Sequence, residues 1–178
     1  MNLFILRHAS AGTSRPNPLL DKKRPLDKDG KRHCLQLAAM LNAQKTSFDF
    51  VVSSPLKRAL QTAQFVATET GYEPQILQSE ALAPSATFKD FQALLQSING
   101  KENILLVGHN PNLAGFLGGL LVPAGTTALP RIRLRKGSIA HVTFTRGPAM
   151  LQNLIDPRLV RSVYATSTKS SRRKTSRK

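Results

Sequence analysis

The chain has 178 residues, with 26 Lys and Arg against 10 Asp and Glu, and a formal net charge of +16. That length suits one domain with a sizeable core, and its single cysteine excludes an internal disulfide and fits a reducing compartment such as the cytoplasm. The N-terminal apolar run is too short for a membrane span and lacks a basic leader and a cleavage site, so neither a transmembrane helix nor a signal peptide is expected.

Leu3, Phe4, Ile5 and Leu6 form that run. Its length and bulk suit a strand of a parallel sheet buried on both faces. It stops at Arg7-His8, where small residues follow. In open α/β sheets ligands bind outside the carboxyl ends of strands. A cation beside an imidazole there reads as a site for an anion that a nucleophile attacks; the alternative is a solvated Arg and a structural His. Residues 13–27, rich in Pro, Asn, Asp and Lys, read as a loop. Arg24 in that loop either reaches back to the anion or is solvated, with solvation the commoner case. Asp27 reads as the N-cap of a helix whose face is Cys34, Leu37, Ala38 and Leu41. Cys34 is a poor nucleophile candidate, because the sixth residue beyond it is Met40 and the Cys-x5-Arg phosphate loop is absent. His33 has no matching metal-ligand spacing and reads as a surface or packing residue.

Residues 48–52 read as a second strand, ended by Ser53-Ser54-Pro55. Ser54 is the expected N-cap of the next helix, and Pro55 its first residue. Leu56, Ala59, Leu60, Ala63 and Ala67 keep to one helical face. Arg58, in the first turn, either adds a guanidinium with two parallel donors to the anion site or is an exposed helix Arg.

Leu-Arg-His at residues 6–8, Arg-Pro-Leu at 24–26, Ser-Ser-Pro-Leu-Lys-Arg-Ala-Leu-Gln-Thr-Ala at 53–63 and Val-Gly-His-Asn-Pro at 107–111 resemble, in order, the motifs of the histidine phosphatase superfamily. Within it they resemble the small SixA-like branch, the protein phosphohistidine phosphatases. The motifs run from residue 3 to about 122, with weaker similarity near Asp156-Pro157. The resemblance implies a phosphoglycerate mutase-like fold and a phosphohistidine intermediate. It also implies an acid/base carboxylate after the third strand, a context that Glu80 occupies.

Residues 75–77 read as a short strand, and Phe88, Phe91, Leu95 and Ile98 as a helix face that stops at Asn99-Gly100. Residues 104–107 form another fully apolar run, which ends at Gly108-His109. Asn110 and Pro111 then open a helix with Leu113, Phe116, Leu117 and Leu120 on one face. His109 repeats the strand-end placement of His8, which argues against a purely structural pair. Arg131-Ile132-Arg133-Leu134-Arg135 alternates as an edge strand would. Residues 138–145 alternate too, with His141 expected on the exposed face. Residues 146–148 read as a turn and 150–155 as a final strand. From residue 167 the chain is Ser, Thr, Lys and Arg only, which reads as a disordered basic tail after a domain of residues 1–166. Six cations lie in residues 169–178, yet the body keeps an excess of +10. Acidic partners are therefore favoured, and the tail could make weak nucleic-acid contact, although a solvated tail is the default.

Together these features predict a three-layer α/β/α sandwich around a mostly parallel sheet. The predicted activity is that of a phosphatase. The carboxylates are scattered, so no metal and no cofactor is expected, and Arg7, Arg58 and His109 supply the positive charge. Neutral His8 attacks phosphorus through one ring nitrogen, and water hydrolyses the resulting phosphoenzyme. The expected substrate is a phosphohistidine on a phosphocarrier or phosphorelay protein. The rivals are a phosphatase of small esters and a basic nucleic-acid-binding module on an inactive phosphatase fold. Intact Arg7, His8, Arg58 and His109 argue against the inactive fold.

Overall fold

The computed structural model describes residues 1–144 and 147–165. The expected tail, residues 167–178, and Arg146 of the expected turn lie outside the described residues. Among the described residues the sheet has six strands in the order β3-β2-β4-β1-β5-β6. These are β1 (Asn2–Arg7), β2 (Phe50–Ser53), β3 (Leu77–Gln78), β4 (Asn103–Gly108), β5 (Ile139–Thr143) and β6 (Met150–Ile155). The first four run parallel, β5 runs antiparallel to β1, and β6 runs antiparallel to β5 and so in the direction of β1.

Helices cover both faces, so the central strands are buried on both sides. Phe4, Leu6, Leu105 and Val107 face one core with Cys34, Leu37 and Leu41 of α2 (Lys28–Ala43) and Ala59, Ala63 and Val66 of α3 (Lys57–Glu69). Leu3, Ile5, Ile104 and Leu106 face the other, with Phe91 and Leu94 of α4 (Phe88–Ser97) and Leu113, Phe116 and Leu117 of α5 (Asn112–Leu120). Burial on both faces is why β1 and β4 are continuous apolar runs rather than alternating ones. The helix after β1 packs on one face and the helix after β4 on the other. The chain thus parts at the carboxyl ends of two neighbouring strands, the usual place for a ligand crevice.

Several expectations need correction. The loop at 13–27 contains a short helix, α1 (Pro18–Lys22), capped by Asn17, whose side chain accepts from Leu19 N–H at 2.9 Å. Helix α3 begins at Lys57, not at Pro55, and Leu56 in the N-cap position makes no side-chain cap. Residues 131–135 are not a strand: Leu134 and Ile132 pack on the α5-side core, but among the described residues no partner strand lies alongside. His141 is half-buried rather than exposed, stacked on Phe4 at 4.3 Å between ring centroids, because its strand sits inside the sheet between β1 and β6. Residues 157–165 form a further helix, α6, that the sequence reading lacked; its Val160 joins the α2-side core.

Candidate active site

β1 and β4 pair in register, Leu6 with Val107 and Arg7 with Gly108. One residue further along each strand stand His8 and His109, and His8 N–H donates to the Gly108 carbonyl at 3.1 Å. The imidazole centroids are 4.9 Å apart and their planes tilt by 54°. Gly108 is closely packed here: a Cβ would lie 3.0 Å from the Leu82 carbonyl oxygen and 3.1 Å from Leu113 Cδ1, so a larger residue would need its neighbours to give way. On the other side of β4, β2 ends beside the same pair, and Ser54 Oγ lies 2.9 Å from His109 Nε2.

The loop after β1 is fixed by backbone approach and by Asp27. The Asp27 carboxylate accepts from Ser10 Oγ at 2.7 Å, from Gly12 N–H at 2.8 Å and from Gly30 N–H at 2.7 Å. Gly30 permits this packing, since a Cβ there would meet the Ser10 carbonyl oxygen. Thr62 of α3 completes the frame: its Oγ1 donates to the Arg58 carbonyl at 2.7 Å and accepts from Ala9 N–H at 3.1 Å.

His8 is 5% exposed, and its Nδ1 lies 2.8 Å from the Ala9 carbonyl oxygen. A carbonyl only accepts, so Nδ1 carries the proton and Nε2 the lone pair. Burial, together with Arg58, Arg7 and Lys136, pushes the His8 pKa down to about 3 against the pull of that hydrogen bond. His109 is pushed to about 2 by burial, then by His8 and by Arg58, Arg7 and Arg24. Both rings are therefore neutral near pH 7.

Arg7 and Arg58 are each tied by one arm and free at another atom. Arg7 Nη1 donates to the Leu134 carbonyl at 2.8 Å, and Arg58 Nη1 donates to the Asp21 carbonyl at 2.9 Å and pairs with its carboxylate at 3.2 Å. Arg7 Nε, Arg58 Nε and His109 Nδ1 are buried without a hydrogen-bond partner. Buried orphan polar atoms are costly, and all three belong to side chains that stand at the carboxyl ends of β1, β2 and β4.

Arg24 is not solvated. It is 8% exposed, pairs with Asp21 at 2.7 Å and donates to the Ala11 carbonyl at 2.8 Å. It acts on the site through Asp21, which it shares with Arg58. The Arg24 hydrogen bond and the Arg15 N–H hold the Asp21 carboxyl well below the usual carboxylate range. Glu80 opens a 3-10 turn (Glu80–Leu82) beyond β3, at the same end of the sheet, and is exposed with no side-chain hydrogen bond among the described residues. Burial pushes the Cys34 thiol up to about 12, which keeps it a core residue rather than a nucleophile.

The sequence thus located His8, Arg7, Arg58 and His109, which the fold brings together. It missed Ser54, Asp21 and Thr62. Ser-Pro before a helix reads as a cap signal, and only the hydroxyl's turn toward His109 reveals the difference.

The profile of the histidine phosphatase superfamily, branch 1, matches residues 3–83. The phosphohistidine phosphatase SixA of Escherichia coli K12 is 30% identical over 145 residues, covering 80% of this chain and 85% of that protein. The chain belongs to the histidine phosphatase superfamily. An uncharacterized Picosynechococcus protein is 34% identical to this histidine phosphatase over 116 residues, 64% of this chain and 68% of that one. A solved structure of the protein histidine phosphatase SixA complexed with tungstate superposes with a TM-score of 0.78 at 25% identity, covering 90% of this chain and 99% of that one. The family and the fold make this histidine phosphatase a SixA-like phosphatase, and no helix among its described residues is long and apolar enough to cross a membrane.

Proposed function

We propose that this phosphatase removes phosphate from histidine on a protein, without a metal, through a phosphoenzyme on His8. The observation that carries the reading is the hydrogen bond from His8 Nδ1 to the Ala9 carbonyl, which leaves Nε2 as a neutral, oriented nucleophile in a buried site. Nε2 forms a bond to phosphorus as the substrate's P–N bond breaks, and the departing imidazole takes up a proton. Water then attacks the same phosphorus, the His8 P–N bond breaks, and inorganic phosphate leaves.

Charge on the equatorial oxygens falls on Arg7, Arg58 and His109. Ser54 Oγ accepts weakly from Leu56 N–H at 3.4 Å, so its own proton is available to His109 Nε2 at 2.9 Å. That arrangement leaves Nδ1–H of His109 as a third donor to the phosphoryl group. The tungstate bound by the SixA relative, a tetrahedral oxyanion, is consistent with such a site.

Support for a protein substrate comes from the rim and from the leaving group. Helix α1, whose Asp21 holds Arg58, buries none of its residues and exposes Leu19 and Leu20, a surface suited to a macromolecule. Protonated imidazole leaves readily, so the exposed position of Glu80 is no obstacle, whereas an alkoxide needs a placed acid. Turnover of a phosphohistidine protein should exceed that of every alkyl phosphate ester in a panel, and EDTA should leave it unchanged. Glu80→Gln should slow esters more than phosphohistidine. A specificity constant for some ester far above that for any phosphohistidine protein, or activity lost to chelation and restored by metal, would overturn the reading.

A further inference from the structure

The Arg-Ile-Arg-Leu-Arg stretch is not used by the chemistry above. Its two-residue alternation survives outside a strand. Leu134 is 1% exposed and Ile132 packs beside it on the core, so Arg131 and Arg133 are turned outward and exposed. The segment is bonded to the site itself, because the Leu134 carbonyl accepts from Arg7 Nη1 at 2.8 Å and from Asn110 Nδ2 at 2.9 Å. A cleft of about 570 Å³ opens there, lined by Arg7, Asn110, Arg131, Arg133 and Arg135 together with the two aliphatic residues.

The charge in this cleft is available. Arg135 is neutralised by Asp156 at 2.9 Å, but Arg131 and Arg133 pair with no carboxylate among the described residues. Asn110, whose Oδ1 is buried without a hydrogen-bond partner, lines the same cleft. Two free guanidiniums two residues apart span about 7 Å of extended chain, which matches two neighbouring carboxylates. Among the described residues no aromatic side chain lines the cleft, so they offer no stacking platform of the kind a single-stranded nucleic-acid site uses.

We propose that Arg131 and Arg133 form a docking surface for acidic side chains that flank the phosphohistidine of the substrate protein. This rests on the function proposed above and names the substrate class, a phosphohistidine within an acidic patch. Complementary charge of this kind raises the encounter rate and fixes orientation more than it changes the chemical step.

The test is steady-state kinetics with a histidine phosphotransfer domain bearing acidic residues around its phosphohistidine, and with free phosphohistidine. R131E/R133E should raise KM for the domain tenfold or more, with kcat unchanged and free phosphohistidine turned over as before. K45E/K101E, with the same charge change at the amino ends of the strands, should leave both unchanged. Replacing the domain's acidic residues by Lys should raise KM for the wild-type enzyme and lower it again for R131E/R133E. An unchanged KM in R131E/R133E, or an equal rise for the domain and for free phosphohistidine, would overturn the surface. So would loss of oligonucleotide binding in R131E/R133E with KM for the domain intact. A wild-type enzyme that hydrolyses esters but no phosphohistidine protein would overturn the function itself, and this surface with it.

Discussion

The two halves of the sheet divide the work. Each of the four parallel strands delivers a site candidate just past its carboxyl end: His8 after β1, Ser54 and Arg58 after β2, Glu80 after β3 and His109 after β4. The antiparallel half delivers no reacting group: β5 runs the other way, with its amino end at the site, and β6, whose carboxyl end lies there, is followed by Asp156, which pairs with Arg135. Gly137 N–H donates to the Arg7 and His8 carbonyls at 3.0 and 3.1 Å, and the Leu134 carbonyl holds Arg7. The parallel half supplies reacting groups, and the antiparallel half holds them and offers a charged rim. Burial divides in the same way: β1 and β4 are closed on both faces, whereas Met150, Leu151 and Leu154 of β6 are exposed.

Substitutions in the two halves should separate these roles. His8→Ala should reduce phosphohistidine turnover to the background rate while the protein stays folded; turnover near the wild-type rate would remove the parallel half's claim to the chemistry. Leu106→Ala, at a fully buried site in β4, should cost about 2–5 kcal/mol in urea denaturation. Leu151→Ala on β6, 39% exposed, should cost less than about 1 kcal/mol. Equal costs would mean that the edge strand is covered in solution.

Arg58→Ala should lose on the order of 3 kcal/mol of transition-state stabilisation, read from kcat/KM, with poor rescue by Arg58→Lys, because a point charge does not replace a planar fork. Ser54→Ala should lower kcat about tenfold, equivalent to about 1.4 kcal/mol, with little change in KM. An unchanged kcat would show that the hydroxyl does not set the His109 tautomer.

A separate expected effect is on pH-dependent stability. His8 and His109 have folded pKa values of about 3 and about 2, against an ordinary 6.5. The unfolded chain binds their protons between those limits and the folded chain does not, so this contribution to stability is present above pH 6.5 and is lost as the pH falls toward 3. NMR should find neither ring titrating near pH 6.5 in the free enzyme.

How far the sequence could be read follows the same division. In β1 and β4, closure on both faces leaves an unbroken apolar run, and the residue that ends it is conspicuous. Those two runs carried the fold class and placed both histidines. Arg58 was placed by its position in the first helical turn, but its anchor Asp21 lay in α1, too short and too polar to stand out from a loop. In residues 131–135 the alternation reported correctly which side chains face the core. It could not report whether a neighbouring strand was there, since any extended segment lying over a core has the same period. Helix α6 went unread because only Pro157 and Val160 among its described residues are buried, which leaves almost no periodic signal.

The central claim is that His8 carries the phosphoryl group. Rapid quenching in base of wild-type enzyme mixed with radiolabelled phosphohistidine protein, followed by peptide mapping, tests it most directly. The account predicts an acid-labile, base-stable label on the peptide that contains His8, formed and lost fast enough to lie on the reaction path and missing in His8→Ala. Label on any other residue, or turnover with no labelled enzyme at any time, would contradict it.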